Sequence, residues 1–235
     1  MTSSTHPVVQ GTEEILIGLC NSVTKVLTTA TQTDIRYSGM VQRITKTCLK
    51  PDIGCFVLFD GGFSGLVVMN FSAEAAMEIY TSYLLSMGMS KDELAISHTS
   101  DEVSNVLGEL MNQIVGDFTS KVDRELQTHI TQNQPKMLVL NKQVHLSIDT
   151  NLDNPESRRV TFYTGNSNIF YLELAVDHTE FIKLVDFEEE EIPDPDALLA
   201  EAAGKSKKGG KSKEKASAKA AQNNDSDELL KSLGM

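Results

Sequence analysis

The sequence contains no tryptophan, 6% aromatic residues and three cysteines among its 235 residues. The shortage of aromatic side chains argues against a nucleic-acid platform that stacks bases. Cys20, Cys48 and Cys55 lack the spacing of a metal site, so we expect reduced thiols in a cytoplasmic protein. No apolar run is long enough to span a bilayer, and Met1–Pro7 lacks the basic and apolar regions of a signal peptide. We therefore expect no membrane insertion.

Charge is distributed unevenly along the chain. The formal net charge is −12, yet residues 205–220 carry seven lysines and one glutamate, which leaves −18 on the rest. An acidic folded part disfavours nucleic acid as a partner, because contacts to phosphates need a basic surface. The lysine-rich stretch alone is compatible with nucleic acid or anionic lipid, but its lack of large apolar side chains favours a soluble linker.

The histidines do not form a metal site. They are His6, His98, His129, His145 and His178. Their positions do not follow the short spacings of metal ligands, so the sequence predicts no metal bound by the chain itself.

Hydrophobic periodicity divides the chain into helices, strands and polar segments. The predicted elements are helices over 12–29, from 72 and over 99–126, strand-like pieces within 34–47, hairpins over 54–70 and 160–176, strands over 137–140 and 144–148, and a short closing helix within 177–185. Ser72 is a good N-cap, and Thr99-Ser100-Asp101-Glu102 fits the capping-box pattern. Residues 151–158 are predicted to be a polar loop.

The order of the elements indicates an internal duplication. Leu19–Val23 in the first long helix matches Leu110–Ile114 in the later one, and a strand hairpin follows each helix. We therefore predict an α+β fold whose two helix–hairpin halves share one mostly antiparallel sheet, with helices packed on it. This domain spans residues 12–187, after a flexible N-terminus, 1–11, and before a flexible acidic and then lysine-rich linker, 188–222.

One face of the later helix is a candidate reactive or recognition surface. At 100° per residue, Glu102, Asn105, Glu109, Asn112 and Gly116 lie together. The opposite side is apolar and consists of Val103, Val106, Leu107, Leu110, Ile114 and Phe118. Asn and Gly each give up roughly 0.5–1 kcal/mol of helix propensity against Ala, which suggests a role beyond holding the helix. An ordinary solvated face is an equally good interpretation of these residues alone.

Glu109, Asn112 and Gly116 follow the pattern Glu-x-x-Asn-x-x-x-Gly, which resembles the signature of the CheC/CheX/FliY phosphatases of bacterial chemotaxis. The resemblance implies a CheC-like fold and hydrolysis of the aspartyl phosphate of the response regulator CheY. It implies that Asn112 positions water, that Glu109 pairs with a lysine of the regulator, and that the regulator brings its own Mg²⁺. The chain would then need no cofactor of its own.

The first half of the chain carries a degenerate copy of this pattern. Asn21 matches Asn112, but Gly18 stands where the later helix has Glu109. We therefore expect one active face in each chain, with Glu102, Asn105 and Gly116 of the later helix contacting the bound regulator.

Residues 223–235 carry a second indication of the same partner. Asp227 and Glu228 precede an apolar stripe made of Leu229, Leu230 and Leu233. The segment is too short to be a stable helix in water, but it suits folding into a groove on a partner. It is similar to the C-terminal peptide of CheZ, an unrelated chemotaxis phosphatase, which implies that it binds and tethers a CheY-like protein. From the pattern alone, a frayed terminus is the alternative.

Two other functions are compatible with the sequence. A non-catalytic adaptor would bind a response regulator or a component of the flagellar switch without hydrolysing phosphate. A domain that binds a cyclic nucleotide or a metabolite would use the glycine-rich run Asp60–Gly65, although this run joins two strands and lacks the helix start that makes an anion site. Exposed sheet edges favour a homodimer.

Overall fold

A computed structural model describes residues 9–140 and 143–182. These residues form the following elements in chain order: β1 (Val9–Gln10), α1 (Thr12–Thr31), β2 (Arg36–Ile44), β3 (Thr47–Leu49), β4 (Ile53–Gly61), β5 (Gly65–Phe71), α2 (Ala73–Ser86), a 3₁₀ turn (Lys91–Glu93), α3 (Asp101–Leu126), β6 (Ile130–Gln132), β7 (Lys136–Val139), β8 (Leu146–Ile148), β9 (Pro155–Tyr163), β10 (Ile169–Asp177) and β11 (Phe181–Ile182). Among the described residues, no helix has the length and apolar character needed to cross a membrane.

Seven strands form one antiparallel sheet in the order β2, β9, β10, β5, β4, with β6 and β7 pairing with opposite ends of β4. The two halves of the chain are arranged symmetrically about the central β5–β10 pair. On one side, β2 of the first half pairs with β9 of the second. On the other side, β6 and β7 of the second half pair with β4 of the first. The predicted α+β class, with a mostly antiparallel sheet, is confirmed.

The two faces of this sheet are covered by different elements. Alternate residues of β4, β5 and β10, such as Val57, Val67 and Leu174, form the main core with α1, α2 and α3. On the opposite face, Leu49 and Leu66 belong to a smaller cluster beneath the β3–β8 pair. Because β5 is central and covered on both faces, all seven of its residues are buried.

Helix α2 begins as its sequence predicts. The Ser72 hydroxyl accepts a hydrogen bond from the Ala75 N–H at 3.1 Å, which satisfies one of the free donors of the first turn. Glu78 of this helix then holds the β9–β10 turn, since its carboxylate accepts hydrogen bonds from the Asn166 N–H and the Asn168 side chain at 2.9 and 2.8 Å.

The predicted closing helix within 177–185 is wrong for the residues that the structure describes. Phe181–Ile182 is strand β11, which pairs with Val9–Gln10 of β1. A pairing between residues so far apart gives no local periodicity, so the sequence pattern does not reveal it. The same pairing places Val9 and Gln10, which belong to the N-terminal segment predicted to be flexible, in a strand. Residues 1–8 lie outside the described ranges.

The predicted polar loop over 151–158 is also wrong at its end. Pro155–Arg158 belongs to β9 and pairs with β10. Arg158 is buried on the helix side of the sheet, where its guanidinium lies 3.0 Å from the Glu13 carboxylate of α1. This ion pair offsets the desolvation of a buried arginine, which is why a charged residue stands in a core-facing strand position.

Candidate functional site

Helix α3 positions the candidate face. Its apolar stripe is buried as predicted, with Leu110, Ile114 and Phe118 each about 1% exposed. The helix begins after Ser100, whose hydroxyl accepts a hydrogen bond from the Glu102 N–H at 3.2 Å. The predicted capping box is therefore wrong, because the N-cap is Ser100 and not Thr99. The Glu102 carboxylate instead accepts a hydrogen bond from the Tyr80 hydroxyl of α2.

Glu109 and Asn112 lie on the side of α3 that faces away from the sheet. Glu109 is exposed and Asn112 is half-buried. The rise of an α-helix places their Cα atoms about 4.5 Å apart along its axis. Glu109 accepts one long hydrogen bond, from the Gln113 amide at 3.4 Å. The Asn112 carboxamide makes no hydrogen bond to any described residue. The fold thus leaves the polar atoms of both side chains available to a partner.

The three predicted neighbours line the same helix face. Asn105 and Glu102 are exposed on it, and Gly116 is half-exposed one turn beyond Asn112. Apart from its chain neighbours and the backbone of its own helix, a Cβ atom built on Gly116 would meet no described atom within 4 Å. The missing side chain at Gly116 is therefore not explained by close packing within the described domain.

Helix α1 carries the equivalent but altered position. Asn21 is exposed, and its Oδ1 accepts a hydrogen bond from the Tyr37 hydroxyl of β2 at 3.1 Å. Gly18 lies one turn earlier, and apart from its chain neighbours and the backbone of its own helix no described atom lies within 4 Å of the position of a Cβ there. The degenerate copy therefore lacks the carboxylate, and its amide oxygen is engaged by the chain itself. Nothing in the sequence pattern pointed to Tyr37.

An ion network joins α1 to α3 beside this face. Asp117 lies 2.7 Å from Lys25 Nζ and 2.8 Å from Lys121 Nζ. Partial burial alone would raise the pKa of Asp117, but hydrogen bonds from Lys121 and Lys25 outweigh it and hold this pKa well below its usual range. Asp117 is therefore ionised at neutral pH and fixes the spacing of the two helices.

The described residues offer no nucleophilic thiol or metal cluster at this face. Burial raises the pKa of both Cys20 and Cys55 to about 12, so these thiols are protonated in the core. No group of three or more His, Cys, Asp or Glu side chains within the described residues could hold a metal ion. The chemistry available at the face is that of a carboxylate and a carboxamide.

The glycine-rich turn after β4 serves the fold. The Gly62 N–H donates to the His129 carbonyl at 3.0 Å. A Cβ on Gly61 would lie 2.3 Å from the same carbonyl oxygen, so glycine is needed for the close approach of this segment. This use of Gly61 and Gly62 gives no support to a metabolite site at Asp60–Gly65.

The predicted partner-binding residues of the tail lie outside the described ranges. They are Asp227, Glu228, Leu229, Leu230 and Leu233. The predicted linker over 188–222 also lies there.

Solved structures similar to this domain include chemotaxis proteins. A CheX from Desulfovibrio desulfuricans is 18% identical, with a TM-score of 0.58 over 70% of this chain and 99% of that chain. A CheC-like superfamily protein from Shewanella sp. PV-4 is 17% identical, with a TM-score of 0.56 over 69% and 97%. A CheX–CheY–BeF₃–Mg²⁺ complex from Borrelia burgdorferi contains a chain that is 14% identical, with a TM-score of 0.50 over 69% and 97%. The domain therefore has the fold of the CheC and CheX proteins, as the resemblance implied.

Within that fold, the chain belongs to the family described as "Protein of unknown function (DUF3334)", which matches residues 6–235. The match extends through the lysine-rich stretch and the C-terminal segment. No curated protein sequence matches the chain.

Proposed function

We propose that this protein is a phosphatase that hydrolyses the aspartyl phosphate of a CheY-like response regulator. The observation that carries the proposal is the position and hydrogen bonding of Glu109 and Asn112. They stand one turn apart on the outer side of a 26-residue helix, with their polar atoms almost unused by the fold. The CheX fold supports the same partner, since one protein of that fold has been crystallised with CheY.

Asn112 is proposed to position the attacking water. Its Oδ1 accepts a hydrogen bond from the water, and the neutral carboxamide does not repel the phosphoryl group. The water oxygen bonds to phosphorus while the bond from phosphorus to the aspartyl oxygen breaks. The products are the free aspartate carboxylate and inorganic phosphate, with the water proton released to the phosphate or solvent. Alignment of reactants is the main contribution required, because the acyl phosphate is already activated.

Glu109 is proposed to fix the geometry of docking. Its exposed carboxylate suits a charge-assisted hydrogen bond to a lysine of the regulator. Because the two side chains share one face of a rigid helix, a regulator held at Glu109 brings its phosphoryl group to Asn112. Mg²⁺ would belong to the bound regulator.

The test is the decay of a phosphorylated CheY-like protein in the presence of wild type and two variants. We expect Asn112→Ala to lower the rate at saturation by about a hundredfold, because it removes the group that aligns water. Glu109→Ala should raise KM by about tenfold through loss of the ion pair. Asn21→Ala is the matched control, since it removes the same amide from the equivalent position of α1, and we expect it to leave the rate unchanged.

Two results would contradict the proposal. If wild type does not accelerate decay but binds the regulator, the non-catalytic adaptor is correct. If Asn112→Ala keeps the wild-type rate, hydrolysis does not occur at this face.

Homodimer formation is a separate prediction, for which the outer side of β2 is an open edge among the described strands. Light scattering in solution measures the molar mass that checks it.

A further inference from the structure

The loop between the 3₁₀ turn and α3 presents one apolar side chain to solvent. Ile96 is 98% exposed. The residues beside it are held in place: Ala95 packs against the main core, and the Ser97 carbonyl accepts a hydrogen bond from the Ser100 N–H at 3.1 Å. Ile96 is therefore an isoleucine displayed on an anchored loop.

A buried tyrosine connects this loop to the candidate face. Tyr80 is 1% exposed, and its hydroxyl accepts a hydrogen bond from the Ala95 N–H at 3.0 Å. The same hydroxyl donates to Glu102 Oε2 at 3.3 Å. One side chain thus fixes the backbone next to Ile96 and orients the exposed carboxylate of Glu102. Local sequence spacing gives no indication of either hydrogen bond of the Tyr80 hydroxyl.

Glu102 continues the face that carries Glu109. The two carboxylates are seven residues apart, two turns of α3, which corresponds to about 10 Å along the helix. Ile96 adjoins Glu102 through Ala95 and Tyr80. A typical protein–protein contact covers about 800 Å² on each partner, which is wide enough to include Ile96, Glu102 and Glu109 together. A partner docked on Glu109 and Asn112 would reach this loop.

We propose that Ile96 and Glu102 form a second docking point for the receiver domain of the response regulator. The inference rests on the proposed function and adds to it the chemistry of the partner surface. That surface should hold an apolar depression for Ile96 and a basic side chain beside it for Glu102. Burial of the Ile96 side chain on binding then contributes to the affinity, and the charge of Glu102 favours partners with a basic side chain at this point.

The test is the affinity of the full chain for a receiver domain activated with beryllofluoride. Ile96→Ser should raise the dissociation constant by about tenfold, the effect of about 1.4 kcal/mol, because the isoleucine that the proposal buries in the complex is replaced by a small polar side chain. In the decay assay the same variant should raise KM by a similar factor and leave the rate at saturation within about twofold. Ile96→Leu should retain wild-type affinity.

Glu102→Gln tests the charge. It should weaken binding about threefold at low salt, and the difference from wild type should shrink as ionic strength rises. Met40→Ser is the control for loss of an exposed apolar residue, since Met40 is 80% exposed on the edge strand β2, away from α3. It should change neither constant.

The outcomes separate this inference from the proposed function. If wild type binds the activated receiver and Ile96→Ser binds equally well, the second docking point is wrong and the phosphatase proposal stands. If wild type neither binds nor dephosphorylates the regulator, both fail. Loss of affinity in Met40→Ser to the same degree as in Ile96→Ser would also overturn the assignment, because the effect would not be local.

Discussion

Gly116 lowers the stability of α3, and no close contact with the described residues requires a glycine there. Its Cβ position is open, so alanine fits there. We predict that Gly116→Ala raises the free energy of unfolding by about 1 kcal/mol, because glycine is that much poorer in a helix interior. If a partner backbone approaches at this point, the same change should raise KM for the phosphorylated regulator. Urea denaturation and the decay assay measure the two effects.

Gly108 provides the matched control for this prediction. It lies on the same helix, and an added Cβ would make an ordinary contact at 3.5 Å with Met137 of β7, away from the candidate face. Gly108→Ala should stabilise the helix without changing KM. If Gly116→Ala also leaves KM unchanged, close approach of a partner at Gly116 is excluded.

Asp117 links folding stability to pH. Its folded-state pKa is lowered, so its stabilising effect is complete above the unfolded value of about 3.9 and is lost as the pH falls through the folded value. We predict that Asp117→Asn lowers the free energy of unfolding by about 1–3 kcal/mol at pH 7. The difference from wild type should stay constant down to about pH 5 and shrink below about pH 4. Urea titrations between pH 3 and 7 measure it, and a difference that grows in acid would contradict the assignment.

At the scale of elements, α1 and α3 are equivalent helices with different outer faces. Leu19 and Leu110 are both buried, as are Val23 and Ile114, so the repeat shares its core positions. The polar positions differ. Helix α1 has Gly18 in place of a glutamate, and the Tyr37 hydroxyl donates a hydrogen bond to its asparagine, Asn21. Of these two helix faces, only that of α3 carries both the glutamate and the asparagine.

This difference leads to a gain-of-function prediction. Gly18→Glu combined with Tyr37→Phe should restore the pair on α1, since Gly18 has room for a side chain and the second change releases Asn21. In an Asn112→Ala background we expect the double change to recover part of the hydrolysis rate, at least about tenfold over the parent. Gly18→Gln with Tyr37→Phe is the control that lacks the charge. No recovery in a folded protein would mean that α1 cannot receive the regulator.

At the scale of the whole molecule, the sequence predicts a tether. Residues 188–222 form a predicted linker of about 35 residues, with a root-mean-square reach of about 30–35 Å, comparable with a small domain. A regulator held by residues 223–235 would meet the α3 face at an effective concentration in the millimolar range. We predict that deleting residues 223–235 raises KM by at least about tenfold and leaves the saturated rate nearly unchanged.

Leu229→Ala with Leu230→Ala tests the tether in a chain of full length. The pair should reproduce the deletion if the apolar stripe is the contact, whereas Lys231→Ala, a change at a residue outside the apolar stripe, should bind at least as well as wild type. An unchanged KM after the deletion would refute tethering and leave docking to the folded domain.

The amino-acid sequence by itself determined the elements that depend on local spacing. The stripe of α3, the β4–β5 and β9–β10 hairpins and the outward position of Glu109 and Asn112 all follow from periods of 3.6 and 2 residues. The degenerate copy at Gly18 and Asn21 could also be recognised in the sequence, because the two copies of the repeat share the same spacing.

The tertiary structure alone decided which polar atoms the fold uses. Tyr37 engages Asn21, Tyr80 joins Ala95 to Glu102, and β11 pairs with β1, and each contact links residues that are distant in sequence or in different elements. Such contacts depend on how the helices and strands pack and not on local periodicity, so the sequence cannot reveal them. For the same reason, the sequence located the polar face of α3, and only the packed fold showed that Asn112 makes no hydrogen bond to the described residues.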